Sequence, residues 1–233
     1  MNPTPVLLIL GAGIGGRGVA LAAIGSGHIV VVDRDPALAS QLVQDVQAAG
    51  GTAESATIDL TDLPAVEAFR DDLLARLGRL DAVIHLVGGW RGSPTVDAEA
   101  ISAWQALLPG VVTTVQVTSA AFLAPLAAAP QGRYVMVTST AAAKPTKSNA
   151  AYASAKSAAA AWVKALGDAF RDTPASACIV AVKALVDPTD RAAHPERKYP
   201  GYTDTTVLGE RIVTLVNTPD LAPVTELDLT ATV

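Results

Sequence analysis

Short apolar runs alternate along the chain with longer amphipathic or alanine-rich stretches. Residues 6–10 are apolar without a break and are bounded by Pro5 and Gly11, the pattern of a strand buried on both faces. Residues 28–32 repeat it with β-branched side chains, and further strands are predicted over 52–58, 81–87, 134–137 and 177–182. Helices are predicted over about 17–25, over 36–49 with Asp35 as N-cap, from Asp62-Leu63-Pro64 to near Gly78, over 101–128 with a break at Pro109, and over 150–170. A polar stretch, 188–204, precedes a last helix at 205–217, and residues 226–230 read as a short closing strand. Strands separated by helices at this spacing predict an α/β fold, a Rossmann-type doubly wound parallel sheet with helices on both faces. No linker-like segment divides the chain, so one domain over 1–233 is expected.

The first strand runs into Gly11-Ala12-Gly13-Ile14-Gly15-Gly16, in which Gly11, Gly13 and Gly16 fit G-x-G-x-x-G. Glycines permit the tight turn and let the backbone approach a pyrophosphate, while the following helix offers free N–H groups and a positive dipole end. The loop has a strand before it, a helix after it, and an acid about twenty residues on, Asp33. A carboxylate there accepts hydrogen bonds from the adenosine ribose hydroxyls and repels a 2′-phosphate, which favours NAD. Arg34 and Arg17 are cations able to pair with such a phosphate, so NADP stays possible. The plainer reading, glycines serving only the turn and Asp33 capping a loop, leaves their joint occurrence unexplained.

Tyr152 and Lys156 lie four residues apart near the start of an alanine-rich helix and so share one face. A cation beside a phenol favours the phenolate and brings its pKa toward useful proton transfer. Ser139 follows the fifth strand, at the strand end where open α/β sheets place ligands, and its hydroxyl can hold a substrate oxygen as charge develops. Each of these residues also has an ordinary role open to it, as a helix-start aromatic, a surface charge and a turn residue.

Composition removes other classes of function. Of 233 residues 50% are hydrophobic and 17% charged, which excludes a disordered chain. The net charge of −5 offers no basic field for nucleic acid. Cys178 is alone, and His28, His85 and His194 share no ligand spacing, so neither a disulfide nor a metal is expected. His85 reads as a strand-end hydrogen-bonding group. Residues 100–132 carry no charge, but Pro109, Gly110, Pro125, Pro130 and several polar side chains interrupt them, so a helix buried in protein is expected rather than a membrane span. The N-terminus has no cationic targeting region, and a cytoplasmic location is expected. The alanine- and valine-rich faces of 101–128 and 151–170 predict a homo-oligomer. Trp90 and Arg91 follow Gly88-Gly89 at a strand end, placed either to line a substrate pocket or to cover the sheet edge.

Taken together, the glycine loop, Asp33, the Asp59-Leu60 pair, and Ser139 thirteen residues before Tyr152 with Lys156 following resemble the short-chain dehydrogenase/reductase family over nearly the whole chain. The resemblance implies an NAD(P)-dependent oxidoreductase acting on a small alcohol or ketone, assembled as a homodimer or homotetramer. It implies Tyr152 as proton donor or acceptor, Ser139 as the group that orients and polarises the reacting oxygen, and Lys156 as ligand of the nicotinamide ribose that lowers the tyrosine pKa. Gly11, Gly13, Ile14, Gly16, Asp33 and Arg34 would hold the cofactor from one side. Asp59 and Leu60 would flank the adenine, and Val87 and Gly88, with Tyr152 and Lys156, would complete the set. The chain also departs from the family. Leu10 replaces the usual threonine, and the glycine loop is one residue shorter. His85-Leu86-Val87-Gly88 stands for Asn-Asn-Ala-Gly, the helix asparagine aligns near Gly110, and Ala184-Leu185 replaces Pro-Gly. These losses suit a second reading, a non-catalytic dinucleotide-binding sensor or structural protein of the same fold.

Overall fold

The structure is a computed structural model and describes residues 4–232. Strands β1 (Val6–Leu10), β2 (His28–Asp33), β3 (Ala53–Thr57), β4 (Ala82–His85), β5 (Arg133–Ser139) and β6 (Ser176–Val182) alternate with helices α1 (Ile14–Ala22), α2 (Pro36–Ala48), α3 (Leu63–Leu77), α4 (Ala98–Leu108), α5 (Thr114–Ala128) and α6 (Ala150–Ala169). Beyond β6 come β7 (Leu185–Val186), α7 (Pro188–Ala193), β8 (Thr203–Asp204), α8 (Thr205–Asn217) and β9 (Val224–Asp228). Seven strands form one sheet in the order β3-β2-β1-β4-β5-β6-β9, and every pairing is parallel. β7 and β8 pair apart from it as a short ribbon.

The apolar runs are explained by burial on both faces. Leu8, Leu10, Val30 and Val32 point into one core with Leu73 of α3, Phe122 of α5 and Val163 of α6. Their neighbours Leu7, Ile9, Ile29 and Val31 point into the other, with Val19 of α1, Leu42 of α2 and Leu208 and Ile212 of α8. The period of two along β1 and β2 therefore feeds two cores and leaves no polar face to read, whereas the edge strands β3 and β9 are partly exposed.

Several boundaries move from the sequence pattern for physical reasons. α1 begins at Ile14, three residues before expected, so Gly15, Gly16 and Gly18 are helical. They allow close packing: a β-carbon on Gly18 would collide with the backbone of Thr205, and one on Gly209 with the carbonyl of Gly18, so α1 and α8 cross backbone to backbone. β4 ends at His85, two residues early, although Leu86 N–H still bonds to the Leu10 carbonyl at 2.8 Å. The break expected at Pro109 is one π turn, Pro109–Thr113, between α4 and α5. The polar stretch 188–204 holds α7 and β8, which pairs with β7 just ahead of it, and the closing strand starts at Val224, before its expected start.

The segment Ala98–Ala128 is long and apolar enough to cross a membrane by length and composition. It packs as a core element: Val111, Val115, Phe122 and Leu126 are buried, and α5 lies between α3 and α6.

Candidate active site

The strand order reverses between β1 and β4, and the carboxyl ends of these two strands open a crevice there. Gly11 leaves β1 with φ +103°, a conformation that favours glycine, and its N–H bonds to the Val32 carbonyl at 2.8 Å. A β-carbon at Gly11 would press on the Leu86–Val87 backbone, whereas one at Gly13 would meet nothing within 4 Å. Gly13 is the N-cap of α1 and has no side chain to cap it, so the first N–H groups of that helix are left to a ligand.

A cleft of about 680 Å³ runs from this turn along the strand ends. Of the residues singled out in the sequence, Gly11, Gly13, Asp33, Arg34, Asp59, Leu60, Val87 and Gly88 line it. Asp33 is tied at its rim, where Oδ2 accepts from Ala12 N–H at 2.7 Å and Oδ1 from Asp35 N–H at 2.9 Å. Asp59 accepts from the Thr61 hydroxyl at 2.7 Å and the Thr61 N–H at 2.9 Å, and these bonds hold its carboxyl below the usual range. Open glycines over a helix N-terminus, a rim carboxylate and an apolar wall fit a dinucleotide.

Ile14 is the first residue of α1, so its N–H is among those left open at the helix start, while its side chain is 50% exposed. Two other residues serve the turn and its surroundings rather than the cleft wall. Gly16 faces inward against Gly11 and closes the turn rather than lining the cleft. Arg17 points away, ion-paired to Asp45 at 2.7 Å, which leaves Arg34 as the nearer candidate for a ribose phosphate.

A second pocket of about 470 Å³ adjoins the first, and Trp90 lines both. Ser139, at the end of β5, and Tyr152, in the first turn of α6, meet there. Ser139 Oγ also accepts from Ala141 N–H at 3.2 Å, which holds the hydroxyl at the strand end. Burial pushes the Tyr152 phenol above its ordinary pKa, against a smaller lowering by the Ser139 hydroxyl. Lys156 is buried one turn later behind Gly88. Its Nζ donates to the Val137 carbonyl at 3.2 Å and lies 5.9 Å from the centre of the Tyr152 ring. Burial lowers its pKa to about 8. The direction of the Tyr152 shift is set by burial and the Ser139 hydroxyl rather than by Lys156.

His85 is buried at the end of β4. Its Nε2 lies 3.0 Å from the Thr114 hydroxyl, which in turn donates to the Gly110 carbonyl in the π turn. Burial first, and the Lys156 charge second, hold His85 neutral with a pKa of about 3. Sequence reasoning did not assign Leu38, Thr61, Pro109, Thr114 or Lys183 to either pocket. Thr61 adjoins the Asp59-Leu60 pair; the others come from separate elements and carry no local signal.

The sequence profile of the short chain dehydrogenases matches residues 5–193. The chain belongs to the short-chain dehydrogenase/reductase family. It is 30% identical over 164 residues, 70% of this chain, to the 2,3-dihydro-2,3-dihydroxybenzoate dehydrogenase of Bacillus subtilis (strain 168). That match spans 62% of the Bacillus enzyme, and a match to a second curated short-chain dehydrogenase, from Pseudocercospora fijiensis, spans 47% of it. Among solved structures, an NAD+-bound xylitol dehydrogenase superposes with a TM-score of 0.83 at 19% identity, covering 98% of both chains. A metagenomic short-chain oxidoreductase in complex with NADP superposes with a TM-score of 0.77 at 24% identity, covering 96% of both. The family's doubly wound fold is the one described above.

Proposed function

We propose that this short-chain dehydrogenase/reductase transfers a hydride between NAD(P) and a small alcohol or ketone, with Tyr152 as acid/base. The observation that carries the reading is the meeting of Ser139 and Tyr152 in one pocket that joins the glycine-floored cleft at Trp90. Bound NAD(P) would supply or accept the hydride. The residues fitted to hold it are Gly11, Gly13, Asp33, Leu60 and Gly88, with Lys156 behind Gly88. Relatives of the same fold whose descriptions name NAD+ and NADP support this cofactor class. Asp33 at the rim favours NAD, and Arg34 beside it keeps NADP possible.

The raised pKa of Tyr152 keeps the phenol protonated at neutral pH, so it enters reduction as the donor. Ser139 Oγ–H would hold the substrate carbonyl oxygen while the phenol passes its proton to it. In oxidation the same oxygen returns its proton to Tyr152. Lys156, with its pKa lowered to about 8, sits close enough to the ring to favour the phenolate as it forms. Trp90 would cover the junction of the pockets and exclude water.

The whole chain is read as one such domain. Ile101, 61% exposed, and Trp162, 43% exposed, lie on helices expected to face another copy of the chain in a homodimer or homotetramer. The non-catalytic reading draws on His85 and Gly110, which stand where the family has asparagines. Turnover separates the two: an alcohol and ketone panel with NADH and NADPH should show cofactor-dependent conversion, and Tyr152→Phe should reduce it at least about 100-fold. Cofactor binding with no turnover on any member would favour the sensor.

A further inference from the structure

The pocket beside Ser139 and Tyr152 carries a charge pattern opposite to that of the chain. Acidic residues outnumber Lys and Arg by 22 to 17 overall, yet no carboxylate lines this pocket, while Lys144 and Lys183 both do. The two lysines come from the ends of neighbouring strands. Lys144 follows the short turn after β5, and Lys183 follows β6 directly. Lys183 Nζ donates to the Pro200 carbonyl at 2.6 Å, which fixes the ammonium and leaves two N–H groups for a ligand. No ion pair engages either lysine among the described residues. Asp228, outside the pocket lining, is the acid whose pKa Lys144 helps to lower; its Oδ1 accepts from the Thr230 N–H and hydroxyl at 2.8 and 2.7 Å. Trp90 supplies a flat apolar wall on the cofactor side of the same space.

Resting on the oxidoreductase reading, we propose that the substrate is a carboxylate-bearing alcohol or ketone. Its reacting oxygen would lie on Ser139 and Tyr152, its ring or chain against Trp90, and its carboxylate between Lys144 and Lys183. Two ammoniums beside one anion supply charge-assisted hydrogen bonds that an uncharged analogue cannot use, so the site selects the acid over its ester. The pocket volume suits a small ring or short chain rather than an extended molecule.

The test pairs 4-oxocyclohexanecarboxylate with its methyl ester, with NADH or NADPH as reductant. Cyclohexanecarboxylate binding is titrated separately by calorimetry. The expected wild-type kcat/KM favours the acid by about tenfold or more. Lys144→Met and Lys183→Met should collapse the acid-to-ester ratio toward one, mainly through KM, and Lys183→Arg should restore most of it. Equal wild-type use of acid and ester, with ratios unmoved in the variants, overturns the carboxylate assignment and leaves the oxidoreductase reading intact. Lysine-dependent binding of cyclohexanecarboxylate without turnover of either ketone supports the anion site, and the oxidoreductase reading then falls only if the whole alcohol and ketone panel is also inert. If the carboxylate does not bind and neither ketone turns over, the assignment is overturned.

Discussion

A β-carbon on Gly16 would overlap the carbonyl oxygen of Gly11. The two residues sit on opposite limbs of the turn between β1 and α1, and the absence of a side chain at Gly16 lets the turn close. Gly13, between them, would meet nothing. The three glycines of the fingerprint therefore answer to different demands. Gly16→Ala should lower stability by about 2 kcal/mol or more, because backbone must move to admit the methyl group. Gly13→Ala should leave stability within about 0.5 kcal/mol and weaken NADH binding, because its methyl group occupies space facing the ligand. Urea unfolding and cofactor titration on both variants separate the two effects.

Lys156 gives a stability signal on the alkaline side. Its folded pKa is lowered from 10.5 to about 8, so the folded state binds fewer protons than the unfolded chain between those values, and stability rises with pH there. Relative to Lys156→Met, which does not titrate, wild-type stability should climb by about 3 kcal/mol from pH 8 to 10.5. Denaturant midpoints for the two proteins across that range measure it. A flat difference would mean the ammonium is better solvated than its burial indicates.

On the acid side His85 plays the corresponding part. It is buried and neutral with a pKa of about 3, against 6.5 in the unfolded chain. Stability tied to it is full above pH 6.5 and is lost as pH falls toward 3, by several kcal/mol. His85→Asn removes the titration, so the stability gap between wild type and variant should shift in the variant's favour as the solution is acidified through that range. Thermal melts from pH 7 to pH 4 would follow the shift.

Asp33 joins loop geometry to cofactor choice, because its two oxygens hold Ala12 N–H and Asp35 N–H while it lines the cleft. Asp33→Asn removes the charge and one of the two acceptors. The variant should lose about 1 kcal/mol of stability. Its NADPH-to-NADH affinity ratio should rise about tenfold, a difference of about 1.4 kcal/mol. Adding Arg34→Ala should remove most of that gain. Fluorescence titration with both cofactors is the measurement.

The sheet was legible because β-branched runs buried on both faces leave few alternatives: β2 starts at His28 as the pattern requires, and β1 matches it at both ends. The start of α1 was not, because Gly15, Gly16 and Gly18 lower helix propensity and read as loop. Glycine is needed at these positions because a β-carbon would meet Leu185, Gly11 and Thr205, neighbours that the local sequence does not announce. Ser139 and Tyr152 were legible through spacing, since a strand end and a helix start fix their relation. The direction of Arg17 was not, because it depends on the rotation of α1 and on Asp45 of α2. Lys183 escaped for a similar reason: only the folded sheet brings the end of β6 beside the turn after β5.

The bare crossing of α1 and α8 ties the two ends of the molecule together. Gly18 and Gly209 leave no flexible side chain to absorb a displacement, and β8 runs straight into α8. A single methyl group at either glycine would have to prise the two helices apart, and the strain would fall on the β7–β8 ribbon from which α8 starts.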